Sequence, residues 1–560
     1  MFYTHVPETS RTADITRVEI IGEGKFSLTD DPFTGDNETV QTTNDCGEQT
    51  MGQLTNYAIA HLGSQFRTHA FSFLLFKDSI RLFRWDRTGL VVSNRIPLTS
   101  QDEAKFFWRH NHASPEKRGI DTTAKLFEET EELTKKMLFE KLRFNEDDST
   151  LKVEDVIFWQ LTVPGSDDTY IVGRPIFMAT MSLASRATRT FKALSVSEGV
   201  PVFLKDTWRI ISGSQKPEHE IYEKLSKAKV NYIPTVLAAG DLPGQRTRTE
   251  EFRTRRWNKN KHYRIVLKEV GISLTSFKTF PEAVTAMANA LQAHREAYAA
   301  NVLHRDISAG NIVIYNNGGL LVDWEMARCL DDTGPGPSNI VRTGTWAFQA
   351  LEIQQKTIEH KRYHDLESFY HVLTWLSLKH ARHDLPPEIL AKMLYTIFDD
   401  SVVYADGRST AAPVRLNHLR FSGTFDDAQF HNRPLNTLLR QLSRTFKVLY
   451  ATPEEPMPDS SEADISLYNT RQKQQQEQLN TLISDTNPTW AEDLFKAAAQ
   501  KPLEEWGEAS WVSHESPSLP RGKRTKRKRS QMMASSLSPT QSSSFPPMPD
   551  DRIWVKMRRT

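Results

Sequence analysis

The segment His304 to Asn311 reads HRDISAGN, and Asp323 follows in the short motif VDWE, Val322 to Glu325. A carboxylate followed five positions later by a carboxamide can supply two things from one loop. The first is a base that orients an attacking hydroxyl and accepts its proton; the second is an oxygen ligand for magnesium. Another carboxylate at the end of a nearby strand adds a further ligand. Asp306, Asn311 and Asp323 have this arrangement, with the apolar run NIVIY turning the chain back between them. Such a set suits phosphoryl transfer from a nucleotide. Taken singly, His-Arg-Asp would describe a surface loop or a capping Asp; the combination in register is what makes it specific.

Other segments must position these groups. In VFLKDTW, Lys205 alternates with Phe203 along an expected strand. The following stretch, PEHEIYEKLSKA, reads as a helix on which Glu218 shares a face with Ile221, Tyr222 and Leu225, three, four and seven positions on, whereas Glu220 breaks that rule. Glu218 is therefore expected to pair with Lys205, the plainer alternative being a first-turn acid stabilised by the helix dipole. RIVLKEVG, from Arg264, reads as a further strand, and Pro281 onward as mainly helical.

Taken in order, these parts resemble the catalytic loop, metal motif and lysine strand of protein kinases. The closer resemblance, over roughly residues 50 to 440, is to the fungal-type protein kinase family. It is carried by FRTHAFSFLLFKDSIRLFRWDRTGLVVS (Phe66 to Ser93), by the LKDTW strand and by HDLESFYHVL. The resemblance implies ATP and Mg2+ as cofactors and a protein substrate. Asp306 would be the base, Asn311 and Asp323 the metal ligands, and Lys205 with Glu218 the holders of the α/β-phosphates. Leu267 would shape the adenine pocket, and backbone groups of Lys268, Glu269 and Val270 would bind the base. Arg305 would receive a phosphate from the activation segment, where Thr333, Ser338 and Thr343 are candidates.

In the segment GTWAFQALE, Thr345 would contact the catalytic loop and favour Ser/Thr acceptors, and Glu352 would pair with a buried arginine, for which Arg433 is the candidate. Asp365 would hold the catalytic loop through backbone hydrogen bonds. The phosphate loop aligns to Ser185, Arg186, Ala187 and Thr188, where the family usually has Gly-Arg-Gly-Thr; losing both glycines restricts φ and adds bulk near the phosphates. Asp323-Trp324-Glu325 stands for Asp-Phe-Gly, and Ser308 takes the place of a lysine. These departures motivate a second reading, a pseudokinase scaffold. A third, a small-molecule phosphotransferase, is disfavoured by the complete GTWAFQALE segment.

Composition sets the frame. The 560 residues carry 71 Lys+Arg and 70 Asp+Glu, yet the stretch from Ser510 to Thr560 holds 11 and 3 of these, leaving 60 and 67 for the rest. The body is thus net −7 and the end net +8. Two cysteines exclude a disulfide framework, no apolar run reaches the roughly 18 residues of a membrane span, and the first residues lack a secretion pattern. An intracellular protein, cytoplasmic or nuclear, with no membrane partner is expected. Nucleic acid is not expected as a partner; the basic run 521–529 could engage an import receptor.

The expected fold is α+β, a two-lobed protein kinase-like fold with a β-rich N-lobe, a family-specific N-terminal extension and a mainly helical C-lobe, plus a disordered C-terminal tail. The expected divisions are a flexible arm over 1–50, the extension over 51–165 with strands and then helices, the N-lobe over 166–275, the C-lobe over 276–450, and a low-complexity tail over 451–560. A loop is expected over 244–262.

Overall fold

The computed structural model describes residues 2–3, 15–33, 44–130, 133–143, 152–179, 182–211, 215–252, 259–332, 344–355, 358–403, 409–411, 413–421, 428, 430–451, 461–484, 486–507, 511–512, 514 and 554–556. The chain divides into a β-rich unit, residues 1–219, 235–270 and 550–560, and a helical unit, residues 220–234 and 271–549.

In the β-rich unit, the turn residues Lys77-Asp78 and Arg87-Thr88 separate β3 (Ala70–Leu75), β4 (Ser79–Asp86) and β5 (Gly89–Val92) into an antiparallel meander. Ahead of them, β1 (Phe2–Tyr3) pairs with β2 (Val18–Gly24), and β2 runs parallel to β3 with Ile20 opposite Phe71. This differs from the expected flexible arm. Val18, Ile20, Ile21 and Phe33 are buried, so the one apolar run of that segment is a core strand. Helix α1 (Asp45–Ser64) is capped by Asn44 Oδ1, which accepts from Gly47 N at 2.6 Å. It presents Met51, Leu54, Ala58 and Leu62 at helical spacing to Leu74, Phe83, Trp85 and Val92.

After β6 (Ile96–Pro97), the stretch expected to be rich in helix contains, among the described residues, two α-helices, α2 (Asp102–Asn111) and α3 (Lys135–Leu142), with the short strand β7 (Ala124–Leu126) between them. The expected border at 165 does not separate two bodies. A second sheet runs across it in the order β7, β8 (Trp159–Thr162), β9 (Thr169–Val172), β11 (Arg189–Ser195), β12 (Pro201–Ile211), β14 (Lys259–Leu267) and β13 (Val236–Arg246), with β10 (Phe177–Met178) on β11. Its core joins Phe66 of the extension to Leu161, Val172, Phe191, Val202, Leu204 and Val266. The expected loop 244–262 is shorter at both ends, because β13 continues to Arg246 and β14 begins at Lys259.

Helix α4 (Glu218–Lys227) begins at the end of the β-rich unit's chain and continues in the helical one. In the helical unit, strands β15 (Ile272–Ser273), β17 (Ile312–Tyr315) and β18 (Gly318–Leu321) form one small sheet, with β16 (Val302–Leu303) nearby in sequence. The alanine-rich α5 (Phe280–Ala299) lies against β18, and the Gly319 backbone approaches Ala286 so closely that a Cβ there would sit 2.3 Å from the Ala286 carbonyl oxygen.

Next come α6 (Leu351–Gln355), α7 (Arg362–His380), α8 (Pro387–Leu394), α9 (Pro413–Phe421) and α10 (Arg433–Tyr450). Helix α7 is buried on nearly every side, and its Ser368, Thr374 and Ser377 hydroxyls donate to the carbonyls four residues back, which satisfies them without external partners. The expected low-complexity tail beyond 450 instead contains α11 (Glu462–Ser484), α12 (Trp490–Ala499) and α13 (Leu503–Trp506). Helix α12 buries Ala491, Phe495 and Ala498, and Arg295 Nε of α5 donates to Glu492 at 2.8 Å. Farther on, Trp511 N donates to Lys278 O and stacks on His380 at 5.0 Å, and His514 Nε2 donates to Ala381 O at 2.7 Å. The basic run 521–529 lies outside the described residues. Among the described residues no helix is long and apolar enough to cross a membrane.

Burial leaves a pH signature. His61, whose Nε2 donates to Val18 O at 2.8 Å, and His69 are each pulled down to about 3, chiefly by desolvation and then by neighbouring arginines, Arg67 and Arg84 respectively. The unfolded chain binds those protons near pH 6.5 and the folded one does not. Stability should therefore fall as pH drops from about 6.5 toward 3, by up to about 1.4 kcal/mol per pH unit for each group. Urea unfolding at pH 7, 6 and 5 should show this slope, and His61→Gln should make it shallower; equal slopes in the two proteins would contradict the assignment.

Candidate active site

The β-rich unit holds one group of the candidate residues. On β12, alternation turns Lys205 to one face and Asp206 to the other. Lys205 Nζ donates to Glu218 Oε2 at 2.9 Å, and both side chains are buried. Glu220 is exposed, while Ile221, Tyr222 and Leu225 are buried. The helix start is fixed beside that pair: Tyr263 Oη of β14 accepts from His219 N at 3.1 Å.

The loop aligned to the phosphates is drawn down onto β12. Arg186 O accepts from Trp208 N at 2.7 Å and Thr207 Oγ1 at 3.3 Å, and Thr188 Oγ1 lies 2.8 Å from Thr207 Oγ1. Ala187 adopts φ +44°, the left-handed region where glycine carries no penalty. Its N–H donates to Ser185 Oγ at 3.2 Å, and Ser185 Oγ in turn donates to Ser182 O at 2.9 Å. After β14, Leu267 is buried and Lys268 exposed. Lys268 N donates to Thr235 O at 2.9 Å, and Glu269 accepts from Thr235 N and Oγ1 at 2.7 and 3.0 Å. Val270 is half-buried.

The helical unit holds a second group of the candidate residues. Asp306 Oδ1 accepts from Thr345 N at 2.9 Å and Thr345 Oγ1 at 3.0 Å. Asn311 Nδ2 donates to Asp306 O at 2.8 Å, which turns the amide oxygen the other way. His304 Nε2 donates to Val322 O at 3.1 Å, and its Nδ1 accepts from Asp306 N at 3.2 Å. Its ring meets the edge of the buried Trp324, whose indole donates to Leu321 O. Arg305 and Asp323 both have positive φ, +71° and +62°, a conformation that costs energy and recurs at functional sites. Burial pulls the Arg305 guanidinium down to about 10, against the opposing pull of Asp365. Ser308 is buried.

Beneath this loop, Asp365 of α7 accepts from Arg305 N at 3.0 Å, His294 Nε2 at 2.9 Å and His360 Nε2 at 2.7 Å. Burial alone would raise its carboxyl; His360 and His294 outweigh that and hold it well below the usual range. The expected partner of Glu352 needs correction. Arg433 is exposed at the first position of α10, and Glu352 Oε2 accepts from Tyr363 Oη at 2.8 Å and His364 Nε2 at 3.3 Å. A buried arginine of this region is Arg415, which donates to Gln349 O at 2.6 Å and Trp346 O at 3.3 Å. Thr333, Ser338 and Thr343 lie outside the described residues.

Asn311 and Asp323 offer only hard oxygens, and the Asn311 amide is oriented by its own hydrogen bond, so this donor set fits magnesium. Sequence reasoning missed His294, His360 and Arg415, and it missed a second buried cluster behind Lys205. There Asp206 accepts from Arg189 Nη2 at 3.0 Å and Arg264 Nε at 2.8 Å, with His262 Nε2 at 3.1 Å. The available signal was a charged residue next to an apolar run in each of two strands, Asp206 after VFL-Lys205 and Arg264 before IVL.

The two loops should respond oppositely to small substitutions. Ala187→Gly removes a left-handed alanine, a gain of about 1 kcal/mol that offsets the usual glycine penalty, so Tm should hold or rise. Gly344 has φ +103°, and a Cβ there would meet Arg305 O at 2.9 Å. Gly344→Ala should therefore cost about 2 kcal/mol or more, read as a lower urea midpoint.

Residues 37–256 and 243–377 match the fungal protein kinase family. No curated protein matches the chain. A solved structure described as "Structure of vaccinia related kinase 3" is similar at 14% identity, covering 57% of this chain and 90% of the other, with a TM-score of 0.31. With the family match spanning more than half of its length, from the extension through the catalytic loop to α7, the chain belongs to the fungal protein kinase family.

Proposed function

We propose that this chain is an ATP-dependent protein kinase that transfers the γ-phosphoryl group to serine or threonine hydroxyls. The observation that carries this reading is the catalytic loop, in which Asp306 is held by both donors of Thr345 while Asp365 fixes the Arg305 backbone. Asp306 orients the acceptor hydroxyl and takes its proton as the oxygen bonds to the γ-phosphorus; the bond to the bridging oxygen breaks and ADP departs. Lys205, paired with Glu218, binds the α/β-phosphates. Leu267 borders the adenine. Because Lys268 N is committed to Thr235, base recognition rests on the backbone of Glu269 and Val270 and on the Lys268 carbonyl. Asn311 and Asp323 would hold Mg2+, which when bound neutralises charge on the phosphates. Arg186 can supply some of the positive charge that Ser308 does not. The basic run 521–529 gives an import receptor a site, consistent with a cytoplasmic or nuclear setting.

One observation favours the scaffold alternative. Ser185 Oγ already takes the Ala187 amide, a donor of the kind that a glycine loop offers to phosphate. Radiolabelled ATP with magnesium and a mixed protein substrate separates the readings. Asp306→Asn should reduce incorporation by about a hundredfold or more; equal incorporation by both proteins would remove the enzymatic reading, and thermal stabilisation by nucleotide without turnover would support the scaffold.

A further inference from the structure

Two adjacent strands of the β-rich unit each carry one residue to the candidate site and its neighbour to the opposite face. On β12 these are Lys205 and Asp206; on β14, paired in register with it, they are Tyr263 and Arg264, with Asp206 directly opposite Arg264 and Thr207 opposite Tyr263. Lys205 and Tyr263 hold the first turn of α4, through Glu218 at 2.9 Å and His219 N at 3.1 Å. Asp206 and Arg264, both fully buried, face the N-terminal extension.

There, Arg264 Nη2 donates to Asp121 at 2.6 Å, and its Nη1 donates to Thr123 Oγ1 at 2.7 Å and Thr162 O at 2.9 Å. Asp121 also accepts from Gln245 Nε2 at 2.6 Å and Thr123 N at 3.0 Å. Arg189, the other arginine on Asp206, lies 4.0 Å above the ring of Phe66. Charges taken fully out of water tolerate little displacement, because a partner that moves leaves an uncompensated ion. The strand pair is thus pinned from the extension side by groups whose sequence neighbours grip the helix.

We propose that Asp121 and Thr123 of the extension are positioning residues for the Lys205–Glu218 pair, acting through Arg264 and Asp206 to set β12 and β14. The inference rests on the proposed role of Lys205 only for its functional meaning; the geometry it asserts can be tested without turnover. It assigns the extension a part in organising the nucleotide-binding lysine, beyond adding stability.

The test is acylation of the intact protein by an acetyl N-hydroxysuccinimide ester under native conditions, with Lys205 and Lys192 followed by peptide mass spectrometry. Lys192 lies on β11, opposite Phe203, and serves as the internal reference. Asp121→Asn removes the charge that faces Arg264, and the milder Thr123→Val removes the two hydrogen bonds of the Thr123 hydroxyl, from Arg264 and to Asp121, at constant shape and decides the matter if the first variant does not fold. Glu19→Gln, which breaks the buried pair between Glu19 of β2 and Arg67, is the control for stability alone. Lys205 labelling should rise about fivefold or more in the positioning variants, with Lys192 and the control within about twofold of the parent, as expected when a buried ion pair loosens locally. Unchanged Lys205 labelling, or Lys192 rising in step with it, would overturn the inference. A parent that labels as expected but transfers no phosphoryl group would count against the proposed function and leave the positioning intact.

Discussion

A carboxylate withdrawn from water must find donors or it will not stay charged, and each unit of this protein is organised around one that has found several. Asp206 gathers Arg189, Arg264 and His262; Asp365 gathers His294, His360 and the Arg305 amide. Burial opposes both charges, and the surrounding donors outweigh it in both cases. The partners come from segments remote in sequence, so each carboxylate fixes several elements at once. One stands directly beside Lys205 in the chain, and the other holds the residue before Asp306. The groups to which the proposed function gives the chemistry are adjacent to the pins.

Much of this was legible in the residues. The spacing of Asp306, Asn311 and Asp323 singled out the candidate loop, because the chemistry it would serve demands local geometry and local geometry leaves a local pattern. The choice of Glu218 over Glu220 followed from helical periodicity alone, since the buried face at Ile221, Tyr222 and Leu225 fixes which carboxylate shares it. The meander of β3 to β5 was visible because its turns are polar and its strands are not. What stayed hidden depends on pairings across long separations. Asp121 meets Arg264 across 143 positions, and nothing near either residue announces the other. Arg433 was the wrong arginine for the same reason: position after the motif says little about depth, and Arg415 is the one that is buried. Helix α12 was concealed by composition, because its buried face is mainly alanine within a charged and glutamine-rich region.

The phosphate loop shows how a substitution can be accommodated structurally yet still alter chemistry. An alanine where the family usually keeps glycine still takes the left-handed turn, and a serine in place of the other glycine satisfies the Ala187 amide from within the loop. The backbone shape is retained while one donor is redirected to the protein's own side chain. The other departures sit differently: Trp324 packs against His304 and donates to a strand carbonyl, so it is part of the support of the catalytic loop.

The docking of Trp511 and His514 on Lys278, His380 and Ala381 gives the chain beyond them a defined point of departure. Arg521 lies seven positions beyond His514, a distance along the chain that even fully extended spans no more than about 25 Å. Whatever takes hold of the first cation of the run 521–529 is therefore leashed to the helical unit on a short tether. Its effective concentration at that surface is set by the length of the leash more than by its abundance in solution.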